Sequence, residues 1–205
     1  MHGGELSILG GNFTKRITNG RVTDVTSEMS AIYMKQGSLT LENASCNVVR
    51  NDSDTGIDLH SIYMLDGQFN STNTTYRMDG AKSIGIKMLD GMLNVVNGDC
   101  VIIGNDAYGI HSSIDSETDL VITNSSFDIT GDNSTGIYST KGRVNISTDG
   151  AKSISVSGSK GTGIHVLDGG SVNSINYSYL LNGDNSIGIW ANDTATGINV
   201  ENGDM

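Results

Sequence analysis

One phrase returns along the whole chain: a glycine, four residues, then a small residue followed by Ile. It reads Gly56 to Ser61-Ile62, Gly80 to Gly85-Ile86, Gly104 to Gly109-Ile110, Gly131 to Gly136-Ile137, Gly158 to Gly163-Ile164 and Gly183 to Gly188-Ile189, and Ala31-Ile32 is an earlier copy without the glycine. Successive Ile positions lie 30, 24, 24, 27, 27 and 25 residues apart, a spread that fits a solenoid whose loops differ in length.

A second phrase follows inside each copy: Gly or Thr, any residue, apolar, any, apolar or small, any, Asn. Starting at Gly37, Gly67, Gly91, Thr118, Gly142, Gly170 and Thr196, it aligns Leu39, Phe69, Leu93, Leu120, Val144, Val172 and Ile198 in one column. Leu41, Ser71, Val95, Ile122, Ile146, Ser174 and Val200 form the next. Alternation of this kind marks a half-buried strand. Asn43, Asn73, Asn97, Asn124, Asn176 and Asn202 end six of the seven copies, and Thr148 ends the other. By the same parity the Asn column is expected to point inward at a turn, its stacked amides satisfying one another and the turn backbone.

A third strand is read after that Asn, from Cys46, Tyr76, Cys100, Phe127 and Tyr179, and two residues on from Val48, Met78, Ile102, Ile129 and Leu181. Ile154 and Val156 are assigned to these columns past a small insertion after Thr148. A propeller needs four strands per repeat and a longer period, and a leucine-rich repeat a different Leu and Asn spacing. The pattern therefore predicts an all-β chain, a right-handed single-stranded parallel β-helix solenoid of about seven coils with three short strands each. Residues 1–30 are expected to form an irregular N-terminal partial coil and 31–205 the repeats. The chain stops at Gly203-Asp204-Met205, partway through a copy, which predicts a C-terminally truncated piece.

Composition agrees, with 27 glycines and no proline, because Gly and Asn tolerate the positive φ that tight turns need. The formal net charge of −11 repels polyphosphates and anionic membrane surfaces, and no run of Lys or Arg offsets it, so no nucleic-acid partner is expected. No stretch nears the roughly 18 apolar residues of a membrane span, and no direct membrane insertion is expected.

Candidate chemistry is sparse. The repeated glycines and the Asp66-Gly67, Asp90-Gly91 and Asp168-Gly169 pairs read as turns, since no Gly-Lys-Ser/Thr follows them. Asp115, Glu117 and Asp119 are the densest acidic group, read as a solvated loop or as a weak calcium site. His111 and His165 share a repeat position two stacking steps apart, too far for one metal ion. Cys46 and Cys100 are likewise two steps apart with Tyr76 between them, beyond disulfide reach, and are expected to be free inward thiols. No catalytic residue, cofactor or metal site is expected.

The residue after each Ile points outward on this pattern, giving a column of Tyr33, Tyr63, Lys87, His111, Tyr138, His165 and Trp190. Rings with a polar edge are common anchors for protein and sugar partners, and they also shield strand backbone and pack along a sheet. Both readings apply to this column.

The Gly-x4-Gly-Ile turns, Asn columns and Asp-Gly turns together resemble the passenger domains of bacterial autotransporters (type V secretion) of the pertactin-like type. The resemblance covers nearly the whole chain from about Gly4 and is one of repeat style. It implies a secreted or cell-surface passenger carried through the outer membrane by a C-terminal translocator β-barrel. It also implies an adhesin or other virulence factor that meets a host cell-surface protein or glycan as a monomer, in some cases after release. The Gly-Asp-Ser-Gly of serine-protease passengers and an Arg-Gly-Asp tripeptide do not occur. The expected function is binding and not catalysis, with a carbohydrate-active β-helix enzyme (a polysaccharide lyase or hydrolase) and a structural spacer as the alternatives.

Overall fold

The computed structural model describes residues 4–17, 30–50, 58–113, 119–192, 194 and 197–203. Among them are 20 β-strands and no helix. The chain opens with β1 (Glu5–Ile17), β2 (Ser30–Met34) and β3 (Ser38–Arg50). Each repeat then supplies three strands, the first β4 (Leu59–Met64), β5 (Gln68–Thr72) and β6 (Thr75–Asp79), the second β7 (Ser83–Met88), β8 (Met92–Val96) and β9 (Asp99–Ile102). There follow β10 (Tyr108–Ser112), β11 (Asp119–Thr123) and β12 (Ser126–Ile129), then β13 (Thr135–Ser139), β14 (Arg143–Ser147) and β15 (Ser153–Val156). The last are β16 (Thr162–Val166), β17 (Ser171–Ile175), β18 (Ser178–Leu181), β19 (Ile187–Ala191) and β20 (Gly197–Glu201).

Strands pair in parallel with their counterparts one repeat away, in three ladders. The isoleucine ladder runs β2-β4-β7-β10-β13-β16-β19. The second runs β3-β5-β8-β11-β14-β17-β20 and the third β3-β6-β9-β12-β15-β18, because the 13-residue β3 serves both. This is the parallel β-helix that the repeat predicts. Seven isoleucine strands are separated by six steps, so the solenoid makes about six turns where the sequence predicts about seven coils. The last coil lacks a third-ladder strand among the described residues.

The register reproduces the apolar columns. Ile32, Ile62, Ile86, Ile110, Ile137, Ile164 and Ile189 stack in turn. Cys46, Tyr76, Cys100, Phe127, Ile154 and Tyr179 do the same in the third ladder, so Ile154 takes its predicted place despite the insertion. These side chains form one continuous core. Each fully buried aliphatic or Phe contributes roughly 1.5–3 kcal/mol relative to exposure, and no coil can collect that alone. Two tyrosine hydroxyls that enter the core are satisfied: Tyr76 and Ser71 share a 2.6 Å hydrogen bond, and the Tyr179 hydroxyl donates to Ser174 Oγ at 2.8 Å. Cys46 and Cys100 are buried and free, and burial pushes the Cys46 thiol up to about 11.

Two expectations are corrected. The Asn column stacks as predicted, with Asn73 donating to Asn43 at 3.1 Å, Asn97 to Asn73 at 3.0 Å and Asn202 to Asn176 at 3.2 Å. It lies on the outside of the corner, however, with Asn43, Asn73, Asn97, Asn176 and Asn202 exposed. Each of these residues has φ between 50° and 61°, and a left-handed residue reverses the side-chain direction that strand alternation would give. The second correction concerns the N-terminal residues expected to be irregular. Residues 5–17 form β1, which pairs with β3 from Glu5 against Ser38 to Ile17 against Arg50. Gly10 and Gly11 turn this strand at the corner beside Asn43 and Ala44, with positive φ taking the place of the missing Asn.

Candidate functional site

The seven outward residues predicted after each Ile occupy one unbroken register column: Tyr33, Tyr63, Lys87, His111, Tyr138, His165 and Trp190. Their rings touch from coil to coil. Tyr33 meets Tyr63 edge-on at 5.5 Å, His111 meets Tyr138 at 4.9 Å, and Tyr138 meets His165 at 5.2 Å. His165 then stacks face to face on Trp190 at 4.3 Å and shares a 3.3 Å hydrogen bond with Asn192. Edge-on and offset pairs of this kind each add about 0.5–1.5 kcal/mol beyond burial. Six members of the column are half-buried, and Trp190 is 43% exposed. The column thus shields the strands of the isoleucine ladder, with Trp190 the member left exposed.

Lys87 interrupts the rings. Its ammonium lies 5.6 Å from the Tyr63 ring centroid and 3.9 Å from the Asp58 carboxylate. Two further rings join the column that the sequence pattern does not single out. His60 packs on Tyr63 at 5.0 Å, and Tyr108 contacts His111 at 5.2 Å and Tyr138 at 5.5 Å. They stand three positions before their partners, where strict alternation turns them inward. The small-residue column between them, occupied by Ser61, Gly85, Gly109 and Gly136, is buried next to a buried Ile, so strict alternation slips there and leaves no period of two to read.

Burial and the Lys87 charge hold His60 down to about 3, and the same two causes hold His111 down to about 4. Burial raises Tyr63, Tyr108 and Tyr138. The His60 and His111 imidazoles are therefore neutral near pH 7, and the Lys87 ammonium faces a carboxylate. His60 Nε2 and His111 Nδ1 are buried without a hydrogen-bond partner. Tyr177, whose position does not recur in the sequence pattern, reaches across the inserted coil, its hydroxyl donating to the Ser125 carbonyl at 2.7 Å and accepting from the Ser125 amide at 3.1 Å.

Asp115 and Glu117 lie outside the described residues, and Asp119 sits at the start of β11 beside Arg143 in register. Among the described residues no three His, Cys, Asp or Glu side chains are grouped to hold a metal ion.

Concavities also lie on a different face. Two shallow grooves open on the outer side of the second ladder, one lined by Gln68, Asn70, Met92, Asn94 and Val121, the other by Arg143, Asn145, Ser171, Asn173 and Asn199. The ring column is a ridge and this face is a trough, so the two suit different partners. Compared with known protein families, curated proteins and solved structures, the chain matches none.

Proposed function

We propose that this chain is a binding module, part of the extracellular passenger of a bacterial autotransporter. In this reading it is displayed at the cell surface or secreted and engages a host cell-surface protein or glycan through the ring column. The observation that carries the reading is the continuity of that column. Seven outward positions hold six rings and one cation in register, where solubility alone asks only for small polar residues. Ring edges with hydroxyl or ring-nitrogen tips bring contact area with little side-chain entropy to lose, which favours a rigid recognition surface. The column works by contact, with no proton transfer or bond cleavage assigned to it.

The test is binding to intact host cells, measured by flow cytometry with purified protein. Replacing Tyr138 and Trp190 together with Ala is expected to weaken binding about tenfold or more, the usual cost of losing buried aromatic anchors, while the thermal transition is retained. Undiminished binding by a folded double variant removes the column from the function.

A further inference from the structure

We infer that the outer face of the second ladder is a second site, built to hold an uncharged, extended oligosaccharide about six sugars long. It lies on a different ladder from the ring column and does not depend on it.

Three observations converge on this face. The first is its amides. Asn70, Asn94, Val121, Asn145, Asn173 and Asn199 occupy one outward column across six consecutive rungs. At the corner the stacked Asn side chains satisfy one another, as Asn97 does with Asn73. On this face Asn199 donates to Asn173 at 2.8 Å, whereas the side-chain amides of Asn70, Asn94 and Asn145 bond to nothing within the described chain. Each of these offers a coplanar donor and acceptor, the complement of a pair of neighbouring sugar hydroxyls.

The second observation is shape. Both grooves lie on this face and abut, one spanning β5, β8 and β11 and the other β14, β17 and β20. Beside the amides Met92 is 54% exposed and Val121 37% exposed, apolar surface against which the C–H faces of a pyranose can rest. Six rungs span five strand spacings, about 24 Å in all at about 4.8 Å each. An extended β-linked pyranose chain advances by about one rung per sugar, so a chain along the stack axis keeps five of six sugars beside an amide and one beside Val121.

The third observation is charge. In the three outward columns of these six rungs the charged residues are Asp119 and Arg143, register neighbours of opposite sign, and Glu201 at the far end. With a net charge of −11 on the chain, acidic polymers are repelled and neutral ones are not. A protein partner is a poorer fit, because the face has no aromatic anchor.

The test is isothermal titration of the full chain with neutral β-linked oligomers of glucose, xylose and N-acetylglucosamine, each from two to eight sugars, beside galacturonate oligomers. At least one neutral series is expected to bind, with Kd falling with length to about six sugars and then levelling. Asn94→Ala and Asn94→Asp, the second keeping size but losing the donor, are each expected to raise Kd about tenfold with an unchanged melting transition. The Tyr138/Trp190 double Ala variant is expected to bind sugar as the parent does. Failure of every neutral series to bind, tighter binding of galacturonate, or loss of sugar binding on removing Trp190 with none on changing Asn94 overturns the site. The last outcome transfers the sugar to the ring column and leaves the reading of that column standing.

Discussion

At Gly109 there is no room for a methyl group. A Cβ there would lie 2.6 Å from the carbonyl oxygen of Gly136 on the next coil and 3.1 Å from Ile102 Cδ1, and Gly85 and Gly136 meet the same obstacle at 2.6 Å. Gly150, on the inserted turn, has nothing within 4 Å. Gly109→Ala is therefore expected to cost about 1–3 kcal/mol through overpacking and to lower the urea midpoint, while Gly150→Ala leaves it within error or raises it slightly. Equal midpoints for the two variants would show that contact between coils does not fix the glycine column. The sequence reads Gly85, Gly109 and Gly136 as the small residue before each Ile, which records their recurrence but not this obstacle. A carbonyl from a residue 27 positions away cannot be inferred from spacing until the register is known. Residues with copies in every repeat, such as Ile110 or Leu120, announce their place by recurrence. His60, Tyr108 and Tyr177 do not recur, and their roles emerge only from the packing.

Within the isoleucine ladder, the same stacking that brings the rings together also buries two imidazoles. His60 and His111 are held neutral by desolvation and by Lys87, at about 3 and about 4. The unfolded chain takes up a proton at each below its ordinary value near 6.5, and the folded chain does so only below those depressed values. Their contribution is therefore complete above pH 6.5 and is lost as pH falls, down to about 4 for His111 and about 3 for His60. The slope approaches about 1.4 kcal/mol per pH unit for each histidine inside its window, and the window is narrower for His111. Urea midpoints between pH 7 and pH 4.5 are expected to fall steadily in the parent and to fall less in His60→Gln. Parallel curves for the two would assign the acid sensitivity to other groups. The ladder itself was readable from sequence, because the residue after each Ile keeps its parity within a five- or six-residue strand. The corner Asn residues were not, because parity counted across a left-handed residue gives the wrong face.

Across the molecule, each strand pairs only with strands of the coils directly above and below it, so the solenoid should tolerate loss of a whole repeat and not of a part. Residues 80–103 are one complete repeat: Gly80 and Gly104 occupy equivalent places, and a Cβ on Gly104 would collide with the backbone of Gly80 one coil away. Deleting this stretch joins Asp79 to Gly104 and sets β4 on β10, β5 on β11 and β6 on β12, with Ile62 over Ile110 and Phe69 over Leu120. The shortened chain is expected to keep its β circular dichroism and a cooperative urea transition, with an m-value lower by about one-sixth because one turn less of surface is exposed on unfolding. Deleting only residues 80–91 places β6 and β9 in the same coil with no isoleucine strand between them, and is expected to abolish the transition. The whole-repeat deletion also removes Lys87, bringing Tyr63 next to His111 and leaving the ring column with no charge, and it removes Met92 and Asn94 from the amide face. Host-cell binding should then persist through the rings while the oligosaccharide preference shortens by about one sugar. An unfolded product from the whole-repeat deletion would mean that the coils are not interchangeable, and that the column-by-column equivalence on which both faces rest is incomplete.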